Sequence, residues 1–160
     1  KNHVYSVYPF YAAAYASDGN SIIPPLPDVS PEKYQFINEF YGKDDHVAYF
    51  KGIPIEGSDA KTFILSGDYA KDRSRVYFDG LEVKDMDPAT FIPIDGGGYT
   101  RDKNGGYYGL DAVEDQLGHP VNYTGRLVAG ADPETFTMIK GEKVDYGKDK
   151  TRYFWGGVAQ

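Results

Sequence analysis

Cysteine is absent from this chain, which excludes disulfides, thiolate metal sites and thiol nucleophiles together. Long hydrophobic runs are absent too. Mean hydropathy is −0.53, and no apolar stretch approaches the roughly 20 residues that a spanning helix needs. No transmembrane segment is expected. Positive charge is in deficit: 17 Lys plus Arg stand against 24 Asp plus Glu, for a net charge of −7 and a pI near 4.9. A nucleic-acid footprint needs clustered cations, so a nucleic-acid partner is not expected. There are only three His and two Met, and Ala-rich helical runs are scarce, which argues against a helical enzyme or a coiled coil. Aromatic residues are abundant, with 15 Tyr, 9 Phe and one Trp making 16% of the chain, alongside 19 Gly and 10 Pro. That mixture reads as β-rich with many turns, in 160 residues, enough for about one domain with a real core.

The chain repeats itself, and the repeat decides the fold reading. Tyr41-Gly-Lys-Asp44, Tyr69-Ala-Lys-Asp72, Tyr99-Thr-Arg-Asp102 and Tyr146-Gly-Lys-Asp149 share the form Tyr, small residue, base, Asp. Gly52, Gly80 and Gly157 follow at one fixed distance, preceded in two copies by Tyr49-Phe50 and Tyr77-Phe78. Eleven residues after Gly52, Gly80 and Gly125 come Phe63, Phe91 and Phe136, in the segments Asp59-Ala-Lys-Thr-Phe63, Asp87-Pro-Ala-Thr-Phe91 and Asp132-Pro-Glu-Thr-Phe136. Ser30-Pro-Glu-Lys-Tyr34 is a degenerate version of that segment, and Tyr15-Ala-Ser-Asp18-Gly19 an eroded turn. The chain divides on this basis as a single repeat domain, 1–160: a divergent first repeat 1–40, full repeats 41–68 and 69–98, a repeat 99–145 carrying an insertion 109–123, and a partial repeat 146–160. The pattern resumes at Thr124-Gly125.

In the second copy, Asp79-Gly80 between Val76, Phe78 and Leu81, Val83 is a strong hairpin signal, because both central residues of a type I′ turn need positive φ. Lys51-Gly52 and Thr124-Gly125 occupy the same place. A second turn is predicted at Lys71-Asp72-Arg73-Ser74, where the carboxylate can bond nearby N–H groups. Asp87-Pro88 reads as the start of a helical turn. The expected fold is all-β, an antiparallel repeat array of stacked hairpins or three-stranded units with one-turn helices between them. A propeller-like arrangement is the alternative.

The recurring Tyr-x-Lys-Asp…Tyr-Phe-x-Gly pattern, closest at Asp102-Lys103-Asn104 with Tyr107-Tyr108 and at Asp72 with Tyr77-Phe78, resembles the bacterial DKNYY family over residues 30 to 157. The resemblance implies an envelope-associated, periplasmic or secreted bacterial chain, often a lipoprotein, whose signal peptide or lipid anchor would lie upstream of Lys1. The family has no assigned catalytic chemistry, so no active-site residue is carried over. The insertion and the first forty residues depart from the pattern.

His3, His46 and His119 sit in different segments, and His46 occupies a turn position where sister copies have Ser74 or Thr151. His119 with Asp111, Glu114 and Asp115 lacks the ligand spacing of zinc sites. Asp102-Lys-Asn104-Gly-Gly106 begins like a calcium loop but lacks its later acids, with Val113 at the closing position. Gly96-Gly97-Gly98 has no following Lys-Ser/Thr, and Ser58, Ser66 and Ser74 sit in no nucleophile elbow. Asn122-Tyr-Thr124 carries no meaning as a glycosylation site in a bacterial chain. No catalytic residue, metal or cofactor is expected. Tyr5, Tyr8, Tyr11 and Tyr15 read as the packing edge of the first repeat.

The insertion is the best lead. It carries three acids, Asp111, Glu114 and Asp115, and no Lys or Arg, while Leu110, Val113 and Leu117 recur at helical spacing. A short amphipathic helix is expected there, with Leu110, Asp111, Glu114, Asp115, Leu117 and His119 as partner-binding residues. Insertions in repeat proteins often form the binding face. The expected function is a non-catalytic envelope protein-binding module, in concrete form an immunity-type protein whose loop occludes a secreted toxic effector. The alternative is a carbohydrate- or cell-envelope-binding module with Tyr107, Tyr108 and Trp155 stacking on sugar rings. A hydrolase using two carboxylates comes third.

Overall fold

The computed structural model describes residues 32–94, 98–141 and 145–160. The tyrosines at 5, 8, 11 and 15, His3, the turn at Asp18-Gly19, Ser30-Pro31 and Gly96-Gly97 lie outside them. The chain is all-β, and no helix forms among the described residues. It divides into two compact units, Lys1–Phe63 and Ile64–Gln160.

The first unit holds a four-stranded antiparallel meander: β1 (Gln35–Phe36), β2 (Tyr41–Lys43), β3 (Ala48–Phe50) and β4 (Ile53–Pro54). The second unit begins with an equivalent meander, β5 (Ile64–Ser66), β6 (Tyr69–Lys71), β7 (Val76–Phe78) and β8 (Leu81–Lys84). Next come β9 (Ile92–Ile94), β10 (Tyr99–Asp102), β11 (Gly105–Glu114) and β12 (Pro120–Leu127), and then β13 (Thr137–Ile139), β14 (Tyr146–Lys148), β15 (Tyr153–Trp155) and β16 (Val158–Ala159). β12 pairs in parallel with β8, so two meanders join into one sheet of order β5-β6-β7-β8-β12-β11-β10-β9. β13 to β16 form a separate four-stranded sheet. Each copy thus has four strands, the number a propeller-like blade needs, and not three. The extra strand follows the linker aromatic and is only two or three residues long, too short to show alternation.

The tight turns form as the sequence predicts at Lys51-Gly52 and Asp79-Gly80, where all four residues have positive φ, 50° and 83° in the first and 48° and 77° in the second. Gly156-Gly157 repeats the arrangement. Thr124-Gly125 does not: Gly125 lies inside β12, where a side chain would collide with Met86 and Tyr107. Asp87-Pro88 starts no helix. Thr90 donates from its N–H (3.0 Å) and its hydroxyl (2.7 Å) to Asp87 Oδ1, which closes a single turn. β9 begins only two residues later, leaving no room to propagate a helix. The helix expected in the insertion is likewise a strand pair, β11 with β12.

Two aromatic clusters hold the second unit. Tyr69, Val76, Val83, Met86, Phe91 and Tyr107 form one, with Leu110 and Tyr123 packed on its flank. Tyr99, Val128, Phe136 and Phe154 form the other. The linker aromatic has the same task in each copy. Phe136 packs edge-on against Tyr99 of its own copy and Phe154 of the next. It also fills the space that a side chain at Gly106 or Gly147 would need, which explains the glycine after the motif tyrosine Tyr146. In the first unit Tyr34 takes this role beside Tyr49 and over Gly42.

Burial raises the phenol pKa of Tyr69 to about 12 and pushes those of Tyr77 and Tyr107 higher still, with the nearby carboxylates Asp72 and Asp102 adding to the last two. The fold favours the neutral phenols, so their contribution is complete below the ordinary tyrosine pKa near 10 and is lost as pH rises through the folded values. Unfolding free energy measured by urea should therefore fall from about pH 10 upward, with the tyrosinate absorbance of these residues appearing together with unfolding. Independent, gradual ionisation of all the tyrosines in a folded chain would contradict this.

Candidate functional site

The residues that recur from copy to copy are occupied in building each copy's turns and, at Asp102 and Asp149, in tying a copy to the linker before it. Each motif aspartate caps its own turn. Asp72 Oδ1 accepts the N–H groups of Ser74 (2.7 Å) and Arg75 (2.8 Å), and its Oδ2 accepts the Tyr77 hydroxyl (2.7 Å). Asp44 does the same with His46, Val47 and Tyr49. Asp102 accepts from Asn104, Gly105 and the Tyr107 hydroxyl, and through Oδ2 from the backbone N–H of Asp87 at 2.6 Å. That last bond ties a copy to the linker before it. Asp149 reproduces it with the N–H of Asp132. Burial alone would raise the Asp149 pKa, but the N–H groups of Thr151, Asp132 and Arg152 outweigh it and hold the carboxyl well below the ordinary range. The fourth copy has Phe154 where the others have the tyrosine, and the hydroxyl that reaches Asp149 is that of Thr151, donating to Oδ1 at 3.0 Å.

The base before Asp44, Asp72 and Asp102 also has a fixed use. Lys43 Nζ donates to Phe63 O (3.1 Å), Lys71 Nζ to Pro88 O (2.9 Å), and the Arg101 guanidinium to Glu134 O (2.6 Å). In each case the base grips the carbonyls of the linker turn that ends its own copy. These cations and carboxylates are structural, and so is Ser58, whose hydroxyl accepts the Ala48 N–H at 2.9 Å. His46 is an exposed turn residue. Among the described residues, no group of three or more His, Asp or Glu is arranged to hold a metal ion.

The insertion is what the repeat does not use. β11 and β12 pair from Tyr107↔Leu127 out to Glu114↔Pro120, with an irregularity next to Val113. The root is anchored: Leu110 and Tyr123 pack on the core, Tyr123 meets Phe78 edge-on at 5.6 Å, and Tyr123 and Thr124 pair with Val83 and Lys84 of β8. Beyond that pairing the ribbon has no strand beside it among the described residues, and it extends roughly 10 Å further at strand rise. Residues 111 to 121 are all exposed. The loop is built by Asp115, whose Oδ1 accepts the N–H groups of Leu117 (2.8 Å) and His119 (3.0 Å), and by Gly118 at φ 80°. These amides hold the Asp115 carboxyl below its usual pKa. The apex is Leu117, 80% exposed, with Val113 and Val121 exposed below it.

The six residues singled out in the insertion thus have different roles. Leu110 is an anchor in the protein's own core. Asp111 pairs with Arg126, which lowers its pKa. Asp115 makes the loop, and the His119 imidazole Nδ1 lies 3.6 Å from its Oδ2. Glu114 and Leu117 remain as outward acid and outward apolar tip. Val121 and Arg126 were missed; the alternation Val121-Asn-Tyr-Thr124 in the sequence is the strand signal that would have placed them.

The three aromatics suggested for sugar stacking do not share a surface. Tyr107 is 3% exposed and belongs to the core. Tyr108 is half-buried, its ring 4.8 Å from that of Tyr99. Only Trp155 is open, at 57%. Its counterparts Phe50 and Phe78 are half-buried against Tyr41 and Tyr69, so the copies present no row of exposed rings in register.

No known protein family, curated protein or solved structure matches this chain. The ribbon is therefore judged on its own chemistry. Leu117→Ser and Glu114→Lys are each expected to change unfolding free energy by no more than about 0.5 kcal/mol, because neither side chain packs on the fold. Urea unfolding checks this. A loss of 2 kcal/mol or more, on the order of a core truncation, would show that the tip is part of the core.

Proposed function

We propose that this chain is a non-catalytic protein-binding module that engages its partner through the ribbon tip, residues 111–121. One observation carries the reading: eleven successive residues on a rigidly rooted hairpin are exposed, and they present a large apolar side chain beside acids. An exposed apolar apex within a polar rim is the usual anatomy of a recognition surface. A hairpin that stands clear of its sheet suits insertion into a cleft. The excess of acid over base would steer encounter with a basic partner.

The concrete form of the proposal is an immunity-type protein of the bacterial envelope, of DKNYY type, which occludes the active cleft of a secreted toxic effector. The acidic net charge, the exposed tip and the engagement of the repeated aspartates in turns support it. A glycan-binding reading has weaker support, since Trp155 alone is open among its residues.

The test uses point variants at the tip. Deleting 109–123 would also remove Leu110 and Tyr123 from the core and would confuse unfolding with lost binding. Immobilised chain should retain one stoichiometric protein from the source organism, and the Leu117→Ser, Glu114→Lys double variant should lose it at unchanged melting temperature. Retention of the same protein by the folded double variant would refute the reading. So would retention on polysaccharide with no protein partner.

A further inference from the structure

A groove in the second unit serves neither the repeat framework nor the ribbon. It runs between β9, an edge strand of the eight-stranded sheet, and β13, an edge strand of the sheet that follows. Its volume is about 550 Å³, within the usual range of small-molecule sites. The walls are aliphatic: Ile92, Pro93 and Ile94 come from β9 and Met138 from β13. Ile92 is 45% exposed, while Ile94 and Met138 rest on the Tyr99, Phe136 and Phe154 cluster, which fixes the floor. The two strands do not pair with each other. Pro93 offers no N–H at the centre of β9, so this edge is a poor template for a further strand. An occupant therefore lies against side chains and does not extend the sheet.

The groove has a cation toward each end and no acid among the residues that line it. Arg101 stands opposite Ile92 in the β9–β10 register and reaches the carbonyls of Pro133 (3.4 Å) and Glu134 (2.6 Å), just before β13 begins. Both bonds use Nη1, so Nε and Nη2 have no acceptor among the described residues. Lys140 follows the other end of β13, roughly 10 Å from its start at strand rise. Its ammonium has no ion pair or hydrogen bond among the described residues. Other cations of this acidic chain are engaged: Lys84, Lys103, Arg126 and Lys150 each sit on a carboxylate.

We infer that this groove is a binding site for an aliphatic carboxylate. The hydrocarbon chain lies on Ile92, Pro93, Ile94 and Met138, where burial of apolar surface supplies the affinity. The carboxylate meets Lys140, and Arg101 adds positive potential from the far end. The site shares no residue with the ribbon tip and needs no protein partner, so it stands or falls apart from the function proposed above.

The test is titration of the ¹⁵N-labelled protein with decanoate. Saturable shifts are expected at the amides of Ile92, Ile94, Met138 and Lys140, and none at Glu114 and Leu117 of the ribbon tip. Lys140→Glu replaces an exposed side chain and should weaken binding on the order of tenfold or more while the amide spectrum stays folded. Decyltrimethylammonium, with the same chain and the opposite charge, should leave the groove amides unmoved. No saturable shift at these amides with millimolar decanoate overturns the inference. So do equal shifts from the ammonium amphiphile, or undiminished affinity in the folded Lys140→Glu variant. Shifts of the same amides with protein concentration alone, which decanoate fails to reverse, overturn it as well and assign the groove to a second copy.

Discussion

Asp102→Ala is expected to cost about 3–5 kcal/mol, a large share of the roughly 5–15 kcal/mol of an ordinary domain. The carboxylate is 3% exposed and is the acceptor for four donors. Removing it leaves the Gly105 N–H and the Tyr107 hydroxyl without that acceptor in a buried site and the Asp87 and Asn104 N–H groups in a half-buried one, and each unsatisfied buried donor costs about 1–3 kcal/mol. Tyr107 recovers part of its loss through the Asp85 carbonyl 3.4 Å away, and this keeps the expected total below the simple sum. Asp102→Asn should cost less, about 1–3 kcal/mol, because one oxygen survives while the new amide meets donors. Tyr107→Phe should cost about 1 kcal/mol. Urea unfolding of the three variants should give that order. If Asp102→Ala were as stable as the parent, the carboxylate would not be the lock between copies, and a role in chemistry would have to be reconsidered.

Phe136→Ala is expected to lose about 3–5 kcal/mol by another mechanism, the opening of a cavity. The ring is fully buried and touches both the copy that it closes and the copy that follows. Gly106 and Gly147 leave the room that it occupies, and the strands cannot close over the gap without moving. Phe136→Leu should recover more than half of the loss, since most of the buried apolar volume returns. A loss below about 1 kcal/mol for the alanine variant, the size expected of an exposed position, would contradict the packing described.

These two residues also show why part of the fold was legible. Tyr, base, Asp and the linker phenylalanine recur because each makes a contact that every copy needs, so the spacing alone revealed the repeat. The turns at Asp72 and at Asp79-Gly80 could be read from chemistry that acts within four residues. The fourth strand could not. β1, β5, β9 and β13, which follow the linker aromatics, are two or three residues long and are fixed by ladder bonds to their neighbours, which leave no periodic trace.

Asp87-Pro88 carried a true helix-start signal, but Phe91 has to reach its socket and the chain extends at once. Leu110, Val113 and Leu117 fit a helical period by coincidence. Leu110 faces the core, Leu117 sits in a turn, and an irregularity at Val113 breaks the strand alternation that would have corrected the reading. For the candidate site, the sequence located the right segment and its acids. It could not separate the acids that build the loop from the one that faces outward, because that depends on Arg126 and on the backbone amides near Asp115. Tyr107 and Tyr108 are adjacent in sequence, yet one is core and the other half-exposed, a distinction set by the alternation of β11.

The repeat framework engages its own polar groups and leaves the ribbon tip, residues 111–121, exposed. The most direct measurement is partner retention by the folded Leu117→Ser, Glu114→Lys chain beside the parent, with melting temperature recorded for both. If the tip is the binding surface, the melting temperature is unchanged and a single stoichiometric protein partner is lost. Retention of that partner by the folded variant would contradict it.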